Sequence, residues 1–130
     1  IEKLKLLDKE INKRKKLYKV YYNNLSKIKD IIINPIKNEN ESNYSVFSIR
    51  VKKHRNKLMK YLKKKGIPAT IYYPKPLNNF KIFDKLKKFN TPIAQKVSET
   101  ILSLPMSPYM AAKERNYIIK NIQIFFKDRH

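Results

Sequence analysis

The 130-residue chain has no cysteine, no tryptophan and a single glycine. Without cysteine, disulfide frameworks and thiolate metal sites are excluded, and a cytosolic location is the default. One glycine cannot build a glycine-rich phosphate loop. Acids are scarce too: ten Asp and Glu stand against 31 Lys and Arg, and of two histidines one is the terminal His130. No apolar run approaches the roughly 18 residues needed to cross a bilayer. The chain opens IEKLKLLDKEINKRKK, with no initiator Met, no secretory apolar region and no cleavage site.

These shortages empty the usual catalytic constellations. A Ser-His-acid triad would need His54, which opens a helical pattern among lysines and reads as a solvated first-turn residue. Scattered acids and two distant histidines give no metal-ligand spacing, so no metal site is expected. The paired carboxylates Glu39 and Glu41 fall in a polar loop, NPIKNENESN, where water solvates them. As a self-contained enzyme the sequence is nearly empty.

What is abundant is positive charge. The formal net charge of +21 suggests nucleic acid, yet only five of the basic residues are arginine, the side chain whose planar fork grips phosphate oxygens in pairs. Lys, Asn and Ile together make up 56 of the 130 residues, a mixture that A- and T-rich codons yield on any fold. The stretch from Arg50 to Lys65 carries nine basic residues and no acid. At 100° per residue Lys57, Lys60, Lys63 and Lys64 share one arc of a helix, and Leu58, Met59, Tyr61 and Leu62 the other. One reading is a basic face that tracks phosphates, making the chain a nucleic-acid-binding module. The clean separation of the two arcs favours the solvated side of an amphipathic helix.

With 42% hydrophobic residues the chain reads as one folded domain over residues 1–130. Leu4, Leu7, Ile11, Tyr18, Tyr21 and Leu25 recur at helical spacing, which predicts a long amphipathic helix from Glu2 to about Leu25, a lead-in occupying 1–29. A compact part over 43–130 follows. YSVFSIRV (44–51) alternates like a strand, 54–65 is helical, and Gly66 sits where a left-handed residue ends a helix. IPATIYY (67–73) predicts a second strand stopped by Pro74. Phe80, Phe83 and Leu86 suggest a short helical piece. Thr91-Pro92 predicts a helix start, with the threonine oxygen as cap. ILSLPM (101–106) predicts a third strand at a sheet edge, and about 111–127 a final helix with Ile118, Ile122 and Phe125 inward. The fold class is therefore α/β (α+β): a small mixed or antiparallel sheet of about three strands flanked by helices, preceded by a long helix.

The stretch TIYYPKPLNNF (70–80) stands apart, with adjacent tyrosines, two prolines and no acid. Strand alternation would send Tyr72 and Tyr73 to opposite faces, so at most one is core. The other would present a ring and a hydroxyl beside a proline-stiffened loop, a suitable ligand wall.

The succession of blocks resembles the C-terminal domain of the DegT/DnrJ/StrS sugar aminotransferases. They are Leu4 and Leu7-Asp8 through Ile11, Arg14 and Tyr21; Arg55 through Leu58, Leu62 and Gly66-Ile67; Ile71-Tyr72-Tyr73-Pro74-Lys75-Pro76-Leu77; Pro92-Ile93-Ala94-Gln95; and Leu102-Ser103-Leu104-Pro105-Met106-Ser107-Pro108. The resemblance implies part of a fold-type I, pyridoxal-phosphate-dependent homodimeric enzyme. Such an enzyme moves an amino group, usually from glutamate, onto a keto group of a nucleotide-linked sugar. It also implies that the Schiff-base lysine, the acid on the ring nitrogen and the phosphate cup belong to a large domain upstream of this chain. No catalytic residue is then expected here, and the fragment alone should be inactive and not hold the coenzyme. Tyr72, Tyr73 and Asn78 would supply one wall of the pocket. The chain departs from the family pattern at Asn78, where His is usual, at Asn79-Phe80, at Gln95, where Glu is usual, and at Ser107, where His is usual. The nucleic-acid module and an inactive remnant of a disrupted gene remain the alternatives.

Overall fold

The computed structural model describes residues 2–37, 39–85 and 89–128. Leu86 of the expected short helix and His130 lie outside them. The chain begins with two helices, α1 (Glu2–Lys5) and α2 (Leu7–Leu25), where the spacing predicts one. The break is a tightened turn at Leu6, whose N–H bonds Lys3 O at 3.2 Å before Glu10 N–H resumes the ladder on Leu6 O. Only the C-terminal part of the apolar stripe is covered: Leu17, Tyr21 and Leu25 are buried, while Leu4 and Leu7 stay exposed.

The sheet is three-stranded and antiparallel in the order β1 (Ile31–Ile32), β2 (Phe47–Val51), β3 (Ile101–Leu104). β2 alternates cleanly, with Phe47, Ile49 and Val51 sealed. The predicted strand 44–51 starts three residues late, because Tyr44 takes a left-handed backbone (φ 51°) and the Ser42 and Asn43 side chains accept the N–H groups of Tyr44 and Ser45.

The expected strand 67–73 does not form. Pro68 and Pro74 have no N–H to give a ladder, and only Thr70 pairs, exchanging two bonds of 2.8 and 3.0 Å with Ser103. Its place as third strand is taken by Ile31–Ile32, a two-residue pairing with Val51 and Arg50 too short to show alternation. β3 is an edge strand, as its position before Pro105 suggested, and its outward backbone groups are occupied. Ser103 serves Thr70, Ile101 N–H bonds Val97 O, and Arg55 Nη1 donates to Ile101 O at 3.1 Å.

α3 (Arg55–Lys64) buries Leu58 and Leu62 and ends as the lone glycine predicts. Gly66 sits at φ +72°, its N–H bonds Lys63 O, and Ile67 N–H reaches back to Leu62 O at 2.9 Å, with Ile67 and Leu62 both buried. This doubly bonded left-handed stop turns the chain sharply off the helix. The expected helical piece near Phe80 shrinks to two 3-10 turns, Leu77–Asn79 and Lys81–Phe83. α4 (Pro92–Thr100) has proline in its first turn, and α5 (Ala112–Lys127) closes the chain. Ala111, at the N-cap of α5, has no side-chain acceptor, so capping there is limited to Glu114 Oε2 accepting the Ala111 N–H at 2.7 Å.

Faces of α2, α3 and α5 converge with β2 and β3 on one core: Tyr21, Phe47, Ile49, Leu58, Leu62, Leu102 and Ile122 are sealed. Tyr21 meets the Phe47 ring at 4.9 Å and donates its hydroxyl to Pro105 O at 3.1 Å, so burying the phenol leaves no orphan. The buried Asn121 is satisfied likewise, by Tyr117 O and the Tyr61 hydroxyl. No described helix is long and apolar enough to cross a membrane.

Candidate functional site

Where the chain leaves Thr70 it stops being covered. Tyr72 and Tyr73 are 60% and 68% exposed, so neither ring is core, within the expectation of at most one. With no strand there, alternation has nothing to act on. Neither hydroxyl has a hydrogen-bond partner among the described residues. Pro76 is buried and anchors the turn, and Lys75 lays its ammonium 4.7 Å from the Phe80 ring. Tyr73, Pro76 and Leu77 form one lip of an open groove of about 650 Å³, and Pro92, Ile93 and Val97 of α4 form the other. The lips are apolar and uncovered, Ile93 being 80% exposed.

Asn78 and Tyr72 do not line that groove. The half-buried Asn78 instead ties its two sides: Nδ2 donates to Phe89 O at 2.8 Å, and Oδ1 accepts the Thr91 hydroxyl at 3.3 Å. Thr91 is indeed the N-cap residue of α4, but it makes no side-chain cap bond; its hydroxyl donates to Asn78. Beside it Asn79 Nδ2 donates to Gln95 Oε1 at 3.1 Å, and Gln95 Nε2 to Glu99 Oε1 at 2.6 Å. Reading the sequence missed these ties. Asn78 was expected as a pocket wall and Asn79 and Gln95 stood out only as departures from a pattern, and the separations of 13 and 16 residues carry no local signal.

Two other polar clusters lie elsewhere. Lys57, Lys60, Lys63 and Lys64 are exposed on the outer side of α3, with Leu58 and Leu62 sealed beneath, the arrangement of a solvated face. Near the start of α2, Tyr109 Oη donates to Glu10 Oε1 at 2.6 Å, Arg14 pairs with Glu10 at 3.5 Å, and Arg14 Nε donates to Asn43 O at 3.2 Å. The Tyr109 hydrogen bond holds the Glu10 carboxyl below its ordinary range, and the charges of Arg14 and Lys3 act the same way against the opposing effect of burial.

The sealed α/β body and its uncovered aromatic rim do not make an enclosed pocket among the described residues. Comparison with known proteins identifies the family. The chain belongs to the DegT/DnrJ/EryC1/StrS aminotransferase family, whose pattern it matches over residues 1–123. It is 32% identical over 127 residues to a protein of Geobacillus stearothermophilus called pleiotropic regulatory protein, covering 93% of this chain and 33% of the other. It is 29% identical over 122 residues to the dTDP-3-amino-3,6-dideoxy-alpha-D-galactopyranose transaminase of Aneurinibacillus thermoaerophilus, covering 92% and 32%. Among solved structures, a DegT/DnrJ/EryC1/StrS aminotransferase from Brucella abortus superimposes with a TM-score of 0.82 at 31% identity, covering 96% of this chain and 33% of that one. The chain thus spans about a third of the length of these relatives.

The family depends on pyridoxal phosphate. A lysine that forms a Schiff base works from a desolvated pocket, and no described lysine is buried; Lys75 alone is half-covered. Two buried guanidinium nitrogens lack partners among the described residues, Arg50 Nε and Arg55 Nε. They belong to side chains rooted in β2 and the first turn of α3, and Arg55 already serves Ile101 O. Burial lowers the Arg55 pKa, and the Glu99 charge opposes that. The described residues therefore do not fit a coenzyme cup by themselves.

Proposed function

We propose that this chain is the C-terminal part of a pyridoxal-phosphate-dependent aminotransferase that moves an amino group, from glutamate, onto the keto group of a nucleotide-linked sugar in amino-sugar or surface-polysaccharide synthesis. The coenzyme and its lysine are held by a separate, larger portion. This chain closes the pocket with Tyr72, Tyr73 and Asn78, the assembled enzyme is a homodimer, and the chain alone is inactive. The family assignment supports the reaction class, and the transaminase relative supports the sugar-nucleotide class.

The observation that carries the reading is the corner itself. Two phenol hydroxyls without partners stand beside apolar lips that only a covering body would remove from water.

The test compares the complete gene product with the 130-residue chain, each supplied with pyridoxal phosphate, glutamate and a keto-sugar nucleotide, following 2-oxoglutarate release. Turnover by the complete product and none by the chain is expected. A complete product that shows no coenzyme absorbance band overturns the reading.

A further inference from the structure

We propose that Asn78 is a positioning residue for Tyr73, acting through Thr91 to hold the tyrosine corner at a fixed height above α4. The upstream end of the corner is fastened to the sheet by the two Thr70–Ser103 bonds. Between there and Asn78 the chain has little packing to orient it: Tyr72, Tyr73, Pro74 and Leu77 are exposed, and Pro76 is the one buried side chain. Ile71 packs partly against the core and Pro76 is buried, and hydrogen bonds at the two ends direct the exposed stretch between them.

The downstream end supplies them. An amide has one donor side and one acceptor side, and Asn78 uses both, on Phe89 O and on the Thr91 hydroxyl. The Thr91 hydroxyl makes no cap bond to its own helix, and its hydrogen goes to Asn78. The neighbouring Asn79–Gln95 bond repeats the tie one residue on, and Gln95 is itself fixed by Glu99. α4 is in turn rooted in the sheet, because β3 begins at the residue after its end. Tyr73 therefore stands on a span clamped at both ends to the same rigid layer. Asn78 contacts neither the groove nor Tyr73's hydroxyl, so it acts by placement.

This inference takes its activity arm from the function proposed above, and its spectroscopic arm stands apart from it. The complete gene product carries 3-fluorotyrosine at position 73 alone, in the parent and in Asn78→Ala, Thr91→Val and Thr91→Ser. One sharp fluorine line is expected in the parent and in Thr91→Ser, which keeps the donor. A shifted or broadened line is expected in Asn78→Ala and Thr91→Val, with the double variant no worse than either single one. Amino transfer should fall about tenfold in kcat/KM for Asn78→Ala and Thr91→Val, less than the roughly hundredfold that a 1 Å misplacement can cause, and recover in Thr91→Ser. A line unmoved in Asn78→Ala or in Thr91→Val overturns the positioning role, whatever happens to turnover. A parent that transfers no amino group removes the aminotransferase reading, and the fluorine lines still decide the positioning.

Discussion

The interior around β2 and the rim around Tyr73 are built by opposite rules. In the interior nearly every group is settled within the chain: Phe47, Ile49, Leu58 and Leu62 are sealed, and the buried Tyr21 hydroxyl finds Pro105 O. At the rim the large apolar side chains face water, and order comes from side-chain amides near the surface. The first region makes a body that holds its own shape. The second leaves apolar surface in water. The relatives are about three times as long as this chain, and the function proposed above assigns the rim to a pocket that the rest of such a protein would complete.

Substitutions can press on the contrast from both sides. The largest expected effect is in the core: Leu62→Ala should lower unfolding stability by about 3 kcal/mol in urea titration, through the cavity and the lost contact with Ile67. A loss no larger than that of a surface change would mean the interior is not the organising part. Next comes Gly66→Ala, which should cost about 1–2 kcal/mol in the same assay, from the left-handed backbone alone. A Cβ there meets nothing within 4 Å, so Gly66→Asn should cost less.

Smaller still are Tyr72→Ala and Tyr73→Ala, each within about 0.5 kcal/mol of the parent by thermal or urea melting. Turnover of the complete gene product should nonetheless fall. A strong destabilisation would move the corner to the structural side of the comparison. The smallest effect concerns acid. The folded pKa of Glu10 is depressed, so its stabilising contribution is present at neutral pH and is lost as pH falls through the depressed value. Glu10→Gln should therefore flatten the acid limb of the stability–pH curve below the ordinary carboxylate range.

What the sequence disclosed follows the same division. The α3 arcs and the Gly66 stop were legible because helical spacing and a left-handed turn are properties of a few adjacent residues. β2 was legible by alternation, except at Tyr44, where the Ser42 and Asn43 side chains redirect the backbone. The expected strand at 67–73 failed because β-branched and aromatic residues there meet a partner only at Thr70, and Ile31–Ile32 was missed because a two-residue strand has no period. At the candidate site the tyrosines could be singled out by composition. Their exposure and the Asn78–Thr91 tie depend on contacts between distant positions, which local pattern does not encode.

The blocked outer margin of β3 has one more consequence. An edge strand with free amides and carbonyls invites another chain to extend the sheet, the first step of fibrous aggregation. Here Thr70, Arg55 and the end of α4 occupy those groups. Identical copies therefore cannot propagate from that margin by backbone templating.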